Sequence, residues 1–266
     1  MPIAERAGIA VHWQEYGAGA RPVLALHCSL ARGSAWSGVA ARLGADVTVT
    51  APDLPGHGQS GDWDGAGDFV RLCTQVAGAM ISRPVDLVGH SLGGVAALRL
   101  ALAAPEAVRT LTLVEPVLFA AARGTPEYGD CRAEAARNFA PMARGDREAA
   151  ARNFTASWGD GTPWPDIPER LRRYMMDRIH LIPATDAALF DDAGGLLAEG
   201  RLEALDLPVM IVTGAASPPV IPRIAEALAA RLPDVGVAEV PGAAHMAPIT
   251  HPDQVAGVIR VNLDRG

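Results

Sequence analysis

The segment Val85–Gly94 constrains the fold of this chain more than any other part of the sequence. A short apolar run, VDLV, leads into the letters GHSLGG, and a helical pattern of apolar residues continues from Val95 to Leu102. Small residues around Ser91 let a strand turn sharply into a helix, which holds the serine in a strained backbone conformation. Such a Gly-x-Ser-x-Gly turn exposes the serine hydroxyl beyond the strand. We therefore predict a nucleophilic Ser91, and a glycine-rich turn with an incidental serine is the alternative.

Apolar runs that alternate with helical patterns predict an α/β protein with a mostly parallel, doubly wound sheet covered by helices on both faces. Continuous apolar runs are typical of parallel strands that are buried on both sides. The predicted strands are Ile9–Tyr16, Val23–His27, Val47–Ala51, Val85–Val88, Leu111–Val114, Leu207–Thr213 and Val235–Val240. Helices are predicted from about Ala35, then over Asp68–Ser82, Val95–Leu102, Pro222–Leu232 and Pro252–Leu263.

The stretch from Val117 to about Leu205 has a different pattern from the rest of the chain. Strand-like runs are absent there, and helical patterns dominate. Because parallel sheets bind ligands at the carboxyl ends of their strands, a helical insertion between two strands predicts a cap over those ends. We predict a core domain of residues 1–116 and 206–266, with residues 117–205 forming the helical cap.

Charge and cysteine content exclude several classes of function. The 266 residues include 23 Lys and Arg against 30 Asp and Glu, a formal net charge of −7, so we expect no nucleic-acid partner. Three widely spaced cysteines argue against a disulfide framework and favour a reducing compartment. The sequence shows neither a signal-peptide pattern nor an apolar run of the roughly 18 residues that a membrane span needs. We expect a cytoplasmic protein, a monomer or homodimer, that acts on a small molecule and binds no membrane.

Four motifs occur in a fixed order along the chain. They are His27 with the loop after it, the letters DLPGHGQS at Asp53–Ser60, GHSLG at Gly89–Gly93, and Gly-x-x-His at Gly242–His245. In this order they resemble the α/β-hydrolase superfamily, of the type with a helical cap, over nearly the whole chain. The resemblance implies an eight-stranded sheet and hydrolysis through a covalent intermediate, without a cofactor or metal.

A serine hydroxyl needs a base within hydrogen-bond reach before it can attack a carbonyl at neutral pH. His245, after the last predicted strand, is the predicted base. His251 is the nearest alternative, but Pro252 suits the first turn of the closing helix. The resemblance implies that His27 and His57 brace loops, and we expect His90 to point away from the base position.

The third member of the predicted triad departs from the family pattern. Members of the family usually carry the acid in a Gly-x-x-Asp turn after the strand that here ends at Thr213, and Ser217 stands at that position. A serine cannot stabilise an imidazolium as a carboxylate does. Some members place the acid one strand earlier, which corresponds to Glu115, and the order Ser91, Glu115, His245 fits the fold. We predict Glu115 as the acid; otherwise it caps the strand end or pairs with a cap arginine.

Two backbone N–H groups are expected to face the oxyanion. One belongs to Leu92, directly after the nucleophile, and the other to Ser29, in the loop after His27. Family members usually have glycine where this chain has Cys28, which we interpret as a small buried residue and not as a nucleophile. Dehalogenases and epoxide hydrolases of the family have an aspartate as the nucleophile, whereas the turn at position 91 of this chain has a serine. Asp53 is therefore expected to brace its own loop.

The sequence favours a serine hydrolase that acts on a small, fairly apolar carboxylic ester, thioester or lactone. Aromatic and methionine side chains offer candidates for an apolar pocket, and Trp158, Trp164 and Met246 are the predicted substrate-binding residues. Hydrolysis of a C–C bond is an alternative, because fold and triad do not fix the substrate. A non-catalytic hydrolase-like receptor is the second alternative, since the usual acid and the usual His-Gly pair are missing.

Overall fold

A computed structural model describes residues 2–266 and contains one eight-stranded sheet. The order is β1-β2-β4-β3-β5-β6-β7-β8; β1 and β2 run antiparallel to their neighbours, and the other pairs are parallel. This confirms the mostly parallel sheet predicted from the alternation of strands and helices. The strands are β1 Ile3–Arg6, β2 Ile9–Gly17, β3 Arg21–Leu26, β4 Val47–Pro52, β5 Val85–His90, β6 Val108–Val114, β7 Val209–Gly214 and β8 Val235–Val240.

Helices connect the parallel strands and fill the region between β6 and β7. The α-helices are α1 Ser37–Ala40, α2 Phe69–Ala79, α3 Leu92–Ala103, α4 Pro126–Phe139, α5 Arg147–Trp158, α6 Glu169–Arg178, α7 Asp186–Leu189, α8 Val220–Ala229, α9 Ala247–Thr250 and α10 Pro252–Leu263. Short 3₁₀ helices lie at Gly33–Trp36, Pro105–Ala107, Phe119–Ala122, Ala140–Arg144, Trp164–Asp166, Ile179–Leu181 and Pro183–Thr185. Within residues 2–266, no helix is both long and apolar enough to cross a membrane.

Alternate residues of the central strands enter two separate hydrophobic clusters. In β3, Leu24 and Leu26 pack with α2, α3 and α8, whereas Val23 and Ala25 pack with α1 and α10. A strand points successive side chains to opposite faces, so a strand with helices on both sides is apolar at every position. Helices on both faces of the sheet explain the continuous apolar runs of its central strands.

The insertion between β6 and β7 packs against the carboxyl ends of the parallel strands. In residues 115–208 the structure has helices and turns but no strand. One small apolar cluster joins α5 and α6 to Leu30, which lies in the loop after β3. The helical cap of the predicted fold is therefore present, and its division from the core at residues 117 and 205 stays a prediction.

The amino ends of the strands hold a buried ion-pair cluster. The fully buried Asp86 accepts hydrogen bonds from Arg21 at 2.7 Å, Arg109 at 2.8 Å and Thr110 at 2.9 Å. Burial alone would raise the pKa of Asp86, but these three hydrogen bonds outweigh burial and lower the pKa. Arg21 also donates to the carbonyl of Leu263, so the cluster ties the end of the chain to the sheet.

Candidate active site

Ser91 lies between β5 and α3 with φ = 55°. The left-handed region is strained for a serine, at a cost of roughly 1–3 kcal/mol. The tight turn requires glycine nearby: a Cβ on Gly89 would lie 2.3 Å from the carbonyl oxygen of Gly93, and a Cβ on Gly93 would lie 2.4 Å from that of Leu26. The Ser91 N–H donates to the carbonyl of Val114 at 2.9 Å, which fixes the turn against the end of β6.

Glu115 directly follows β6 and is also in the left-handed region, with φ = 52°. Its side chain is fully buried, and its Oε1 accepts hydrogen bonds from the Gly214 N–H at 2.6 Å and the Ser217 hydroxyl at 2.8 Å. Because β6 lies between β5 and β7 in the sheet, this carboxylate lies between the serine turn and the loop after β7. Two neutral donors thus hold one carboxylate oxygen and leave the other free for a third partner.

His245 provides that third partner and links the glutamate to the serine. Its Nδ1 lies 3.1 Å from Glu115 Oε2, and its Nε2 lies 3.0 Å from Ser91 Oγ. The residue lies on the loop after β8, and its side chain is 5% exposed. Three residues that are far apart in the sequence thus form one hydrogen-bonded chain at the carboxyl edge of the sheet. Such a chain can accept the proton of a hydroxyl while a carboxylate orients the imidazole.

Two aromatic side chains hold His245 in this position. His90 Nε2 lies 2.8 Å from the carbonyl oxygen of His245. Burial, and then the proximity of His245, lower the pKa of His90 well below its ordinary value, so His90 is neutral and donates to this carbonyl. The Trp158 ring packs edge-on against the imidazole, with 4.8 Å between ring centroids. The sequence predicts that His90 points away from the base, but its ring lies 5.2 Å from that of His245 between centroids and supports the backbone of the base.

The loop after β3, which contains Ser29, is fixed by two buried histidines. His27 bridges the carbonyl of Cys28 at 2.7 Å and the N–H of Leu54 at 2.9 Å. His57 bridges the carbonyl of Pro55 at 2.9 Å and the N–H of Leu30 at 3.1 Å. Burial lowers the pKa of His27 to about 4 and that of His57 to about 3. Both rings are neutral and brace loops.

Cys28 and Asp53 occupy structural positions beside the site. Cys28 is buried, and burial raises the pKa of its thiol to about 12, which leaves it unreactive at neutral pH. Asp53 accepts hydrogen bonds from the backbone N–H groups of Gly33 at 2.7 Å and Gln59 at 2.9 Å. Its carboxylate is therefore engaged in holding two loops together.

A cavity of about 50 Å³ opens on Ser91 beneath the helical insertion. Ser29 lines it beside Ser91 and His245, and Leu92 is the first residue of α3, directly after the serine. Most of the remaining lining is apolar, and it consists of Val117, Phe119, Cys131, Ala135, Phe139, Phe154, Trp158, Ile182, Leu189 and Phe190. Asn138, Thr185 and Asp186 are the polar exceptions.

The three residues predicted to bind substrate occupy different surroundings. Trp158 lines the cavity that contains Ser91. Met246 lines a larger neighbouring groove of about 470 Å³, between the loop at Leu30–Gly38 and α6. Trp164 lines neither of these two spaces; it packs in the interior of the helical insertion, and its Nε1 donates to Glu148 at 3.1 Å.

Ser217 and Asp186 are the site residues that sequence reasoning did not assign. Ser217 was noted only as the residue that replaces the usual acid, and the structure pairs its hydroxyl with Glu115. The signal was its position in the Gly-x-x-Asp turn, which lies next to any carboxylate that takes over the role. Asp186 is an isolated acid in a mostly apolar segment, and no local pattern distinguishes it. Within residues 2–266 no cluster of three His, Cys, Asp or Glu side chains is placed to hold a metal ion.

The model of the alpha/beta hydrolase family matches residues 23–258. This chain belongs to that family. An α/β hydrolase of known structure, a thermophilic esterase from Thermogutta terrifontis, superposes with a TM-score of 0.77 over 99% of this chain and 98% of its own, at 20% identity, which shows the shared fold.

Two curated relatives carry names that describe ester hydrolysis. The pimeloyl-[acyl-carrier protein] methyl ester esterase of Aeromonas salmonicida is 28% identical over 258 residues, which is 95% of this α/β hydrolase and 98% of the relative. Lipase LipV of Mycobacterium tuberculosis is 31% identical over 159 residues, and that match spans 58% of each chain. Both similarities are to enzymes that act on esters.

Proposed function

We propose that this chain is a serine hydrolase that cleaves a small, fairly apolar carboxylic ester, thioester or lactone. The observation that carries the proposal is the chain of two hydrogen bonds from Ser91 through His245 to Glu115. The names of the curated relatives support an ester bond as the target.

In this mechanism, Ser91 Oγ attacks the carbonyl carbon while His245 Nε2 accepts the hydroxyl proton. The Nδ1–H of His245 donates to Glu115, which orients the imidazole and stabilises its positive charge. The N–H groups of Leu92 and Ser29 stabilise the oxyanion. His245 then protonates the leaving oxygen or sulfur as its bond to carbon breaks, which leaves an acyl group on Ser91.

Water completes the cycle by the same route in reverse. His245 accepts a proton from water as the water oxygen attacks the acyl carbon, and it returns the proton to Ser91 Oγ as the acyl–serine bond breaks. The products are a carboxylic acid and an alcohol or thiol, and the enzyme returns to its initial state. No oxidant, reductant or cofactor is needed for this balance.

The cavity on Ser91 and the groove lined by Met246, the residue after His245, suit the two parts of an ester. The leaving group must lie beside His245, which protonates it, and Met246 and Ile249 from the following segment line the open groove. The acyl part then lies in the apolar cavity beneath the insertion, next to Trp158 and Phe119. Apolar lining of this kind selects apolar acyl chains.

Hydrolysis of simple esters by wild-type and Ser91→Ala protein tests the proposal. We expect turnover of p-nitrophenyl esters by the wild type and a loss of roughly 10⁴-fold or more in kcat for Ser91→Ala. Ser82→Ala is the matched control, because Ser82 is exposed and lies before β5, and it should retain full activity. A folded wild type without turnover on any ester, thioester or lactone would leave the receptor interpretation in place.

A further inference from the structure

Asp186 is the carboxylate among the residues that line the cavity on Ser91. It begins α7, within the helical insertion, and is half-buried. The other two polar exceptions in the lining have partners: the Asn138 amide donates to Ser157 at 3.4 Å, and the Thr185 hydroxyl donates to the carbonyl of Ile182 at 2.7 Å. Of these three polar residues, Asp186 is therefore the one whose hydrogen-bond partner remains to be identified.

The carboxylate of Asp186 accepts no hydrogen bond from any residue in the range 2–266 that the structure describes. Burial raises the pKa of Asp186, while Arg132 acts to lower it and Asp191 acts to raise it. Arg132 is engaged elsewhere, because it pairs with Asp191 at 2.9 Å and donates to Tyr128 at 3.2 Å. A ligand that enters the cavity removes water from this half-buried carboxylate, which is unfavourable unless the ligand itself supplies a hydrogen bond.

We infer that Asp186 accepts a hydrogen bond from a hydroxyl or ammonium group on the acyl part of the substrate. The inference rests on the proposed hydrolase function, since it uses the division of the substrate between cavity and groove. Apolar side chains such as Phe119, Phe190 and Leu189 line the same space. The favoured substrate thus has an apolar acyl chain that carries a hydrogen-bond donor away from the ester carbonyl.

Methyl esters of matched acyl chains test this directly, because their small leaving group places all differences in the acyl part. The series compares alkanoates with hydroxyalkanoates and aminoalkanoates of equal length, and acid release is followed by titration. We expect wild-type kcat/KM to favour the donor-bearing ester of the best length by roughly 10- to 100-fold. The hydroxyl and amino arms of the series distinguish the two donors.

Two variants separate a direct contact from the effect of charge. Asp186→Leu should abolish or reverse the preference, and Asp186→Asn, which keeps the shape, should reduce it more for the ammonium than for the hydroxyl donor. Asp130→Asn is the matched control: it removes the same charge from an exposed position on α4 of the same insertion, outside the cavity, and leaves the Arg132–Asp191 pair intact. It should leave the ratio of the two kcat/KM values within about twofold of wild type.

Three results would overturn the inference: equal kcat/KM for donor-bearing and plain esters, an unchanged preference in Asp186→Leu, or an equal loss in Asp130→Asn. A preference for a donor on the alcohol part instead would also contradict it. Calorimetric binding of the matching unreactive amides to Ser91→Ala tests the contact without turnover. If no ester is hydrolysed but the donor-bearing amide still binds more tightly through Asp186, the proposed function fails and the contact stands.

Discussion

Two fully buried carboxylates lie at opposite ends of two neighbouring parallel strands and have different partners. Asp86, at the amino end of β5, is held by Arg21 and Arg109, which carry fixed positive charges. Glu115, at the carboxyl end of β6, is held by a backbone N–H, by the hydroxyl of Ser217 and by the imidazole of His245.

Under the proposed function, one fold uses the same group for stability at one edge of the sheet and for chemistry at the other. The charge of Asp86 is already balanced by arginines, so it can add nothing to a charge that develops during a reaction. In the proposed mechanism, Glu115 meets its positive partner only when His245 accepts the serine proton. Removing one partner of a buried ion pair costs stability, whereas removing the acid of a triad costs rate.

The largest expected effect is the loss of the charge on Glu115. Glu115→Gln keeps the hydrogen bonds to Gly214 and Ser217 but presents an amide to His245 Nδ1, which favours the wrong tautomer. We expect kcat to fall by roughly 10³- to 10⁴-fold with Tm almost unchanged. Steady-state kinetics and a thermal melt check both parts, and activity within tenfold of wild type would remove Glu115 from the triad.

Asp86→Asn should show the opposite pattern. Losing the charge leaves Arg21 and Arg109 without their shared partner, so we expect unfolding free energy to fall by about 3–5 kcal/mol. Turnover per folded molecule should stay the same, because the site is at the other end of the sheet. Chemical denaturation gives the first quantity and active-site titration the second; a variant as stable as wild type would contradict the structural role.

Acid pH should reduce the difference in unfolding free energy between wild type and Asp86→Asn. The pKa of Asp86 is lowered in the folded state, so the unfolded chain binds its proton first as the pH falls. The stabilisation is present above the unfolded value of about 3.9 and is lost as the pH falls through the folded value. Denaturation curves at pH 7 and near pH 3 measure this difference. A difference in unfolding free energy that increases at low pH would contradict the prediction.

The smallest effect is expected at Ser217. Ser217→Ala removes one of the three hydrogen bonds to Glu115, which corresponds to about 1 kcal/mol and roughly a fivefold loss in kcat. If Ser217 positions the acid, Ser217→Thr should recover the activity, and the pH dependence of kcat should shift in Ser217→Ala. An alanine variant with the wild-type pH profile and rate would reduce Ser217 to a packing role.

Sequence patterns located the features that depend on neighbouring residues. The turn at Ser91 and the bounds of α10 follow from local spacing. The predicted start of α2 at Asp68 also fits the structure, where the Asp68 side chain caps the helix by accepting the N–H of Arg71 at 3.0 Å. The sequence does not predict β1, because this strand has only four residues, which alternate between exposed and half-buried positions. Helix α2 ends at Ala79 rather than Ser82 because the chain must turn there to enter β5.

Contacts between distant parts of the chain were harder to predict. Glu115 could be proposed because some members of the family place the acid one strand earlier, at the same edge of the sheet. The bond from Ser217 to Glu115 joins residues 102 positions apart, and its one signal is that Ser217 occupies the turn position where family members usually carry the acid. The aromatic residues of the insertion show why a pattern cannot tell a pocket from a core: Trp158 faces the cavity, while Trp164 packs within the helices.

Labelling with a fluorophosphonate, followed by peptide mass mapping, tests the central claim most directly. The reagent forms a stable bond only with a serine whose proton is taken by a neighbouring base. The account predicts one adduct on Ser91 in the wild type, much slower labelling in Glu115→Gln, and wild-type labelling in Asp86→Asn. An adduct on another residue, or equal labelling rates in wild type and Glu115→Gln, would contradict it.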